Sequence, residues 1–186
     1  MLRLWLVLAL GLLAVPAAAE SWRLDPETSV SVDVGWQGGT VEVKFPRIDG
    51  TIDFDERRPE TARARITVSS RDAATGMGVV DALVRGRDYL DAQQYPEMIF
   101  ELDRLARTSP QTADVFGRLT LRGHTEPVAF KARVLRYGPA PDAPERFEAG
   151  FDIEGVVDRT EFGSTAGLPE VPASLGVRIR LMMSST

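Results

Sequence analysis

From residue 29 onward, apolar side chains fall on every second position in run after run. Val30, Val32, Val34 and Trp36 alternate with Ser29, Ser31, Asp33 and Gly35, and the beat returns in Ala62, Ala64, Ile66 and Val68. It recurs in Met98, Phe100 and Leu102, in Val128, Phe130, Ala132 and Val134, in Phe147, Ala149, Phe151 and Ile153, and in Leu175, Val177, Ile179 and Leu181. Successive strand side chains point to opposite faces, so these runs predict strands with one apolar and one solvated face. Gly, Pro, Asp and Ser gather at Gly38-Gly39 and at residues 55–59, 108–111, 123–127, 138–145 and 168–172, leaving loops of hairpin size. About eight antiparallel strands follow, enough for the sheet to close into a barrel. A β-sandwich would bury the same apolar face. An outer-membrane barrel would turn that face to lipid, but its strands run to about ten residues, longer than several of these.

The alternation lapses once. Across residues 78–95, Val79, Val80, Leu83, Val84, Tyr89 and Leu90 approach helical spacing, which predicts one or two short helices inserted between strands. Six of the eight phenylalanines (Phe45, Phe54, Phe100, Phe130, Phe147 and Phe151) and Trp36 fall on the face expected to point inward. An eight-stranded barrel is just wide enough to be plugged by such side chains or to hold one small ligand.

Ahead of the strands lies a leader. Met1, Leu2 and Arg3 precede an apolar stretch at residues 4–15, then Pro16 and Ala17-Ala18-Ala19, the layout of a cleaved signal peptide. Residues 1–19 are therefore expected to be removed, leaving one exported domain over residues 20–186. The apolar stretch falls short of the roughly 20 residues that span a bilayer. The chain has no cysteine, so packing rather than disulfides must hold it together. The net charge of −5 argues against nucleic acid as a partner. Lys44 and Lys131 are the only lysines, and the arginines are scattered among acids along the strands, as on a solvated outer face.

Nothing in the pattern nominates catalysis. His124, the single histidine, sits in a turn, and without cysteine the common zinc and copper ligand sets are missing. Asp53-Phe54-Asp55-Glu56-Arg57-Arg58 begins like a calcium loop but carries Arg57 where a ligand is needed and Arg58 where the turn glycine belongs. No serine lies in a nucleophile-elbow motif. The expectation is a binding protein, with no catalytic residue and no metal.

Particular residues then narrow the reading. In order come Trp22-x-Leu24-Asp25, Phe45, Asp49-Gly50-x-Ile52-x-Phe54-Asp55, Thr75-Gly76, Asp81, and Arg87-Asp88-Tyr89-Leu90-Asp91. Tyr95-Pro96-x-Met98-x-Phe100, Gly117-x-Leu119-Thr120-Leu121-x-Gly123-x-Thr125-x-Pro127-Val128 and Arg159-x-x-Phe162-Gly163 follow. This ordered set resembles the YceI-like family of secreted bacterial proteins over essentially the whole mature chain. The resemblance implies an all-β, eight-stranded antiparallel, lipocalin-like barrel with a short helical insert. It implies an apolar cavity holding a polyisoprenoid or prenyl quinone, with no covalent cofactor. It also implies a role in quinone transport or storage, and a membrane cytochrome of the b561 type as a partner of some members. Two departures stand out: Trp36 lies in a strand where many members carry a histidine, and His124 replaces a small aliphatic residue.

The candidate ligand-binding residues are Val34, Trp36, Phe45, Phe54, Leu83, Leu90, Phe100, Leu119, Phe130 and Phe151 for the wall. Asp88, Arg159 and Glu161 are candidates for the mouth, each equally readable as an ion pair or turn anchor. An exposed strand edge, or the tryptophan near the barrel end, would suit a homodimer. The rival to the carrier is a stress-linked or respiratory accessory that meets a membrane partner through its outer surface, its barrel plugged by aromatics.

Overall fold

The computed structural model describes residues 20–36 and 38–185. The expected leader at residues 1–19 lies outside the described residues. Strands β1 (Glu20–Leu24), β2 (Ser29–Trp36), β3 (Gly39–Phe45), β4 (Ile48–Phe54) and β5 (Arg63–Ser69) are followed by helix α1 (Gly78–Arg85). Strands β6 (Glu97–Ser109), β7 (Thr112–Leu121), β8 (His124–Pro139), β9 (Phe147–Asp158) and β10 (Ser174–Ser185) complete the sheet.

Ten strand segments form eight staves of one closed antiparallel barrel. β1 and β2 run end to end along β10, with Trp22 opposite Ser185 and Val32 opposite Val177. Pro26, which has no N–H, lies in the break between them. The Thr28 hydroxyl bridges the gap by donating to the Met182 carbonyl (2.8 Å) and accepting from the Met182 N–H (3.1 Å). β3 and β4 form a second broken stave, interrupted at Pro46 and Arg47. β1 pairs with both β4 and β10, which closes the ring and leaves that part of the wall without an edge.

At one end the ring is incomplete. Beyond its partner β2, β3 is bridged only at Lys44–Ala74 among the described residues. Residues 70–95 lie across this gap. The expected helical insert is a single helix, α1, and the chain from residue 86 to 95 follows in turns. No residue of α1 is buried. The helix is held by polar ties: the Asp81 carboxylate accepts from the Thr75 N–H and hydroxyl (both 2.6 Å), and Arg85 Nε donates to the Ala73 carbonyl (2.7 Å).

The inward face is apolar, as the alternation predicts, yet its rings do not fill the axis. Phe130 lies over Gly155 on the neighbouring β9, and Phe100 lies over Gly117 on β7; a Cβ at either glycine would collide with the ring. Phe100 and Phe130 meet edge to face, 6.0 Å apart, and Phe54 and Phe151 do so at 5.8 Å. Phe100 and Phe130 are therefore folded along the wall, with a neighbouring glycine making the room, while Phe54 and Phe151 meet from β4 and β9, which are not adjacent.

Two β-bulges change the phase of the pattern. A register shift between Leu102 and Arg104 makes Leu105, not Arg104, the next residue of β6 on the inner face, and Arg104 sits outside over the Phe116 ring at 4.1 Å. A second shift between Val134 and Arg136 turns Tyr137 inward. The expected inward position of Phe147 is corrected: it is 37% exposed and stacks on Tyr137 at 5.7 Å, at the start of β9 where the wall ends.

Gly155→Ala should force the Phe130 ring off the wall. The expected loss is ~1–3 kcal/mol, typical of overpacking, measured as a lower urea midpoint with unchanged slope.

Candidate functional site: a hollow apolar barrel

The barrel encloses a cavity of ≈ 460 Å³. This lies within the usual range for sites that hold one small molecule, about 300–1,000 Å³. All ten apolar candidates border it: Val34, Trp36, Phe45, Phe54, Leu83, Leu90, Phe100, Leu119, Phe130 and Phe151. Ile66, Leu102 and Val177 also line it and are only partly buried despite facing inward, because they border empty space rather than packed neighbours. The interior is thus not plugged by its own aromatics.

The three polar candidates are not brought together at a mouth. Arg159, 4% exposed, borders the cavity, but its guanidinium faces a shell of carbonyls. Nε donates to Pro172 O (2.9 Å), Nη1 to Ser164 O (2.7 Å) and Oγ (3.4 Å), and Nη2 to Ala166 O (2.8 Å) and Val171 O (2.7 Å). A guanidinium has five N–H groups, and all five are used. Burial pulls its pKa down, while Tyr89 and Asp158 oppose that shift. Of the roles open to it, Arg159 takes that of turn anchor, fixing the loop that folds over this end of the barrel.

Asp88 borders a separate polar pocket with Arg87, Asp91, Tyr95, Arg122 and His124, outside the β7–β8 turn. There Arg122 Nη1 donates to the carbonyls of Arg87 (2.7 Å) and Tyr89 (2.6 Å), tying the chain after α1 to that turn. Glu161 is exposed and lines neither space.

The polar groups that do border the cavity at its far end were not readable as a motif. Glu56, Arg107, Ser109, Gln111 and Thr112 converge there from the β4–β5 loop and the β6–β7 hairpin. Arg107 Nη2 donates to the Glu56 carbonyl (2.9 Å), joining the two loops. Arg107 reaches this position only through the bulge in β6. What the arrangement can do is shelter an apolar chain along a greasy wall, with polar groups confined to the two ends.

Comparison with known proteins agrees with this geometry. The model of the YceI-like domain matches residues 22–184. Protein YceI of Salmonella newport is 30% identical over 171 residues, covering 88% of this chain and 85% of the relative. The crystal structure of BcnA from Burkholderia cenocepacia superposes with a TM-score of 0.73 at 22% identity, covering 88% of this chain and 99% of that one. A polyisoprenoid binding domain from Saccharophagus degradans, implicated in plant cell wall breakdown, superposes with a TM-score of 0.66 at 14% identity, covering 91% and 99%.

Two tests follow from the polar ties. Arg159→Met should strand several buried carbonyls and lower stability by about 3 kcal/mol in chemical denaturation, with Arg159→Lys intermediate because it offers fewer donors. For Asp81, the bonds from Thr75 come first and Arg85 adds to them, holding the carboxyl below its ordinary 3.8. Such a group gives its full stabilisation above that value and loses it as pH falls through the lowered folded value. Amide exchange in α1 should therefore accelerate only below roughly pH 4, and Asp81→Asn should accelerate it already at neutral pH.

Proposed function

We infer the function from one premise, that the chain belongs to the YceI-like family. The barrel holds the tail of an isoprenoid lipid and carries it through the periplasm without altering it covalently. The single observation that carries this reading is the open apolar cavity, with Phe100 and Phe130 laid over glycines of its wall. The Saccharophagus degradans domain, described as polyisoprenoid binding, supports the same ligand class. The leader-like residues 1–19 support export.

Energetics define what such a carrier does. Burying a prenyl chain from water is worth about 0.8 kcal/mol per CH₂. Such a lipid starts in a bilayer, however, where its chain is already out of water, so transfer into the barrel is near balance. The cavity prevents exposure in transit, and polar groups at its ends choose the head group. A prenyl quinone suits this division, with its ring near the Arg107–Gln111 end or near the carbonyl-rich loop around Arg159. A membrane cytochrome of the b561 type is the partner we propose for exchange of a quinone.

Native mass spectrometry on protein purified gently from its own host should reveal a co-purifying mass of an isoprenoid lipid. Added prenyl quinone should quench Trp36 emission in stripped protein, and Val177→Trp, which narrows the cavity, should weaken uptake on the order of tenfold. A barrel that arrives empty and takes up no prenyl quinone would overturn the reading.

A further inference from the structure

The two ends of the barrel both expose apolar side chains, Tyr137 and Phe147 among them at the β8–β9 end, but differ in how charge is spread. Around the end where β2 turns into β3, three stretches carry no charged residue: residues 34–41, 73–80 and 162–169. In a chain with 26% charged residues, this is a local exception. These stretches expose large apolar side chains: Trp36 is 42% exposed and Val79 87%, and Met77 and Leu168 are exposed as well; Leu83, on α1 just beyond the second stretch and past Asp81, is 52% exposed. The opposite end carries Asp53, Asp55, Glu56, Arg57, Arg58, Glu60 and Arg63 on the β4–β5 side, and Asp142, Glu145 and Arg146 in the β8–β9 loop.

The apolar end is also continuous with the cavity. Trp36 from the hairpin and Leu83 from α1 are at once exposed to solvent and part of the cavity lining. Val34 and Val41 on the hairpin, with Val80 and Val84 on the helix, continue that lining inward. The third stretch belongs to the β9–β10 loop, which touches the hairpin base: a Cβ at Gly35 would lie 3.3 Å from the Pro172 ring. The separate polar pocket by the β7–β8 turn, with Arg87, Asp88, Asp91 and Arg122, adjoins the third stretch at Gly163, Thr165 and Ala166 and marks the charged limit of the apolar rim on that side.

We propose that this lip, formed by the β2–β3 hairpin, α1 and the 162–169 loop, is a docking surface for a lipid bilayer, through which the cavity opens to its cargo. This rests on the isoprenoid reading for its cargo, but the surface itself is argued from charge and exposure. An apolar rim with a tryptophan at its edge suits the interface, where an indole buries its ring and keeps its N–H in the polar zone. Continuity of rim and cavity favours a bilayer as occupant: a chain can slide from acyl tails to barrel wall without crossing water. The cluster of charges at the far end keeps that end in solvent. α1, with no buried residue and one side bordering the cavity, is the part of the wall that can yield to let the chain pass.

The test uses vesicles of phosphatidylethanolamine and phosphatidylglycerol and the mature protein. Met77→Asp with Val79→Asp changes two exposed residues outside the cavity lining. Acidic residues at the start of a helix favour its dipole, so the fold is retained. Wild type is expected to co-sediment with vesicles, and high salt should change this little, because the contact is made by apolar side chains and the charges of α1, Asp81 and Arg85, are paired with each other. The double variant should lose on the order of tenfold in partition, while Thr108→Asp at the opposite end should match wild type. Equal partition of the double variant and wild type, or failure of wild type to bind vesicles at all, would overturn docking. Loading of prenyl quinone from detergent micelles, measured in parallel, separates the two ideas. If wild type fails to load while its vesicle binding still depends on Met77 and Val79, the isoprenoid reading falls and the docking surface stands.

Discussion

The hollow interior depends on phenylalanine rings lying over glycines of the adjacent strand. Phe130 over Gly155 and Phe100 over Gly117 bury part of their apolar area against backbone and meet each other edge to face at 6.0 Å above the intervening strand. A ring packed this way gains most of the burial of a filled core while leaving the lumen free. The same pairing sets a close limit on the wall, since one added methyl at either glycine meets the ring. It also explains why so many inward residues remain partly exposed without being on the surface: they face a space the protein has not filled.

A barrel without a filled centre needs stability from its wall. Closure by β1 onto both β4 and β10 satisfies backbone groups that an open sheet would leave at its edges. Outside, arginines and acids cross-link strands in small networks, as where Arg178 bonds Asp33 and Glu42, or where Arg133 and Arg180 share Asp152. Exposed pairs of this kind contribute little singly, about 0–1 kcal/mol, so they tune the wall and its solubility more than they hold it. Where the ring is incomplete, polar ties take over: Thr75 on Asp81, Arg122 on two carbonyls, and Arg159 on four peptide carbonyls and the Ser164 hydroxyl.

These ties give the two ends different characters. The end bordered by the β4–β5 loop and the β6–β7 hairpin near Arg107 is polar, charged and joined by a direct loop-to-loop bond. The other is covered by a helix with no fully buried residue and a loop organised around one guanidinium. A cavity with one wet end and one greasy, loosely covered end has a direction, and that direction is what a carrier exchanging cargo with a bilayer requires.

Sequence alone determined the strands, their inward faces and the helical interval, because alternation and helical spacing are local properties that adjacent residues encode. It also named the ten apolar residues that border the cavity. It did not place Tyr137 and Leu105 inward, since a bulge adds one residue to one strand and shifts the phase without a composition signal. Nor did it reveal that all five N–H groups of Arg159 are taken by its own loop, or that Asp88 and Glu161 lie away from the cavity. Above all, whether the barrel was plugged or hollow was a matter for tertiary structure. The answer rests on which glycine of one strand faces which ring of the next, a pairing between residues 17 and 25 positions apart that the registers of the β6–β7 and β8–β9 strand pairs bring into contact.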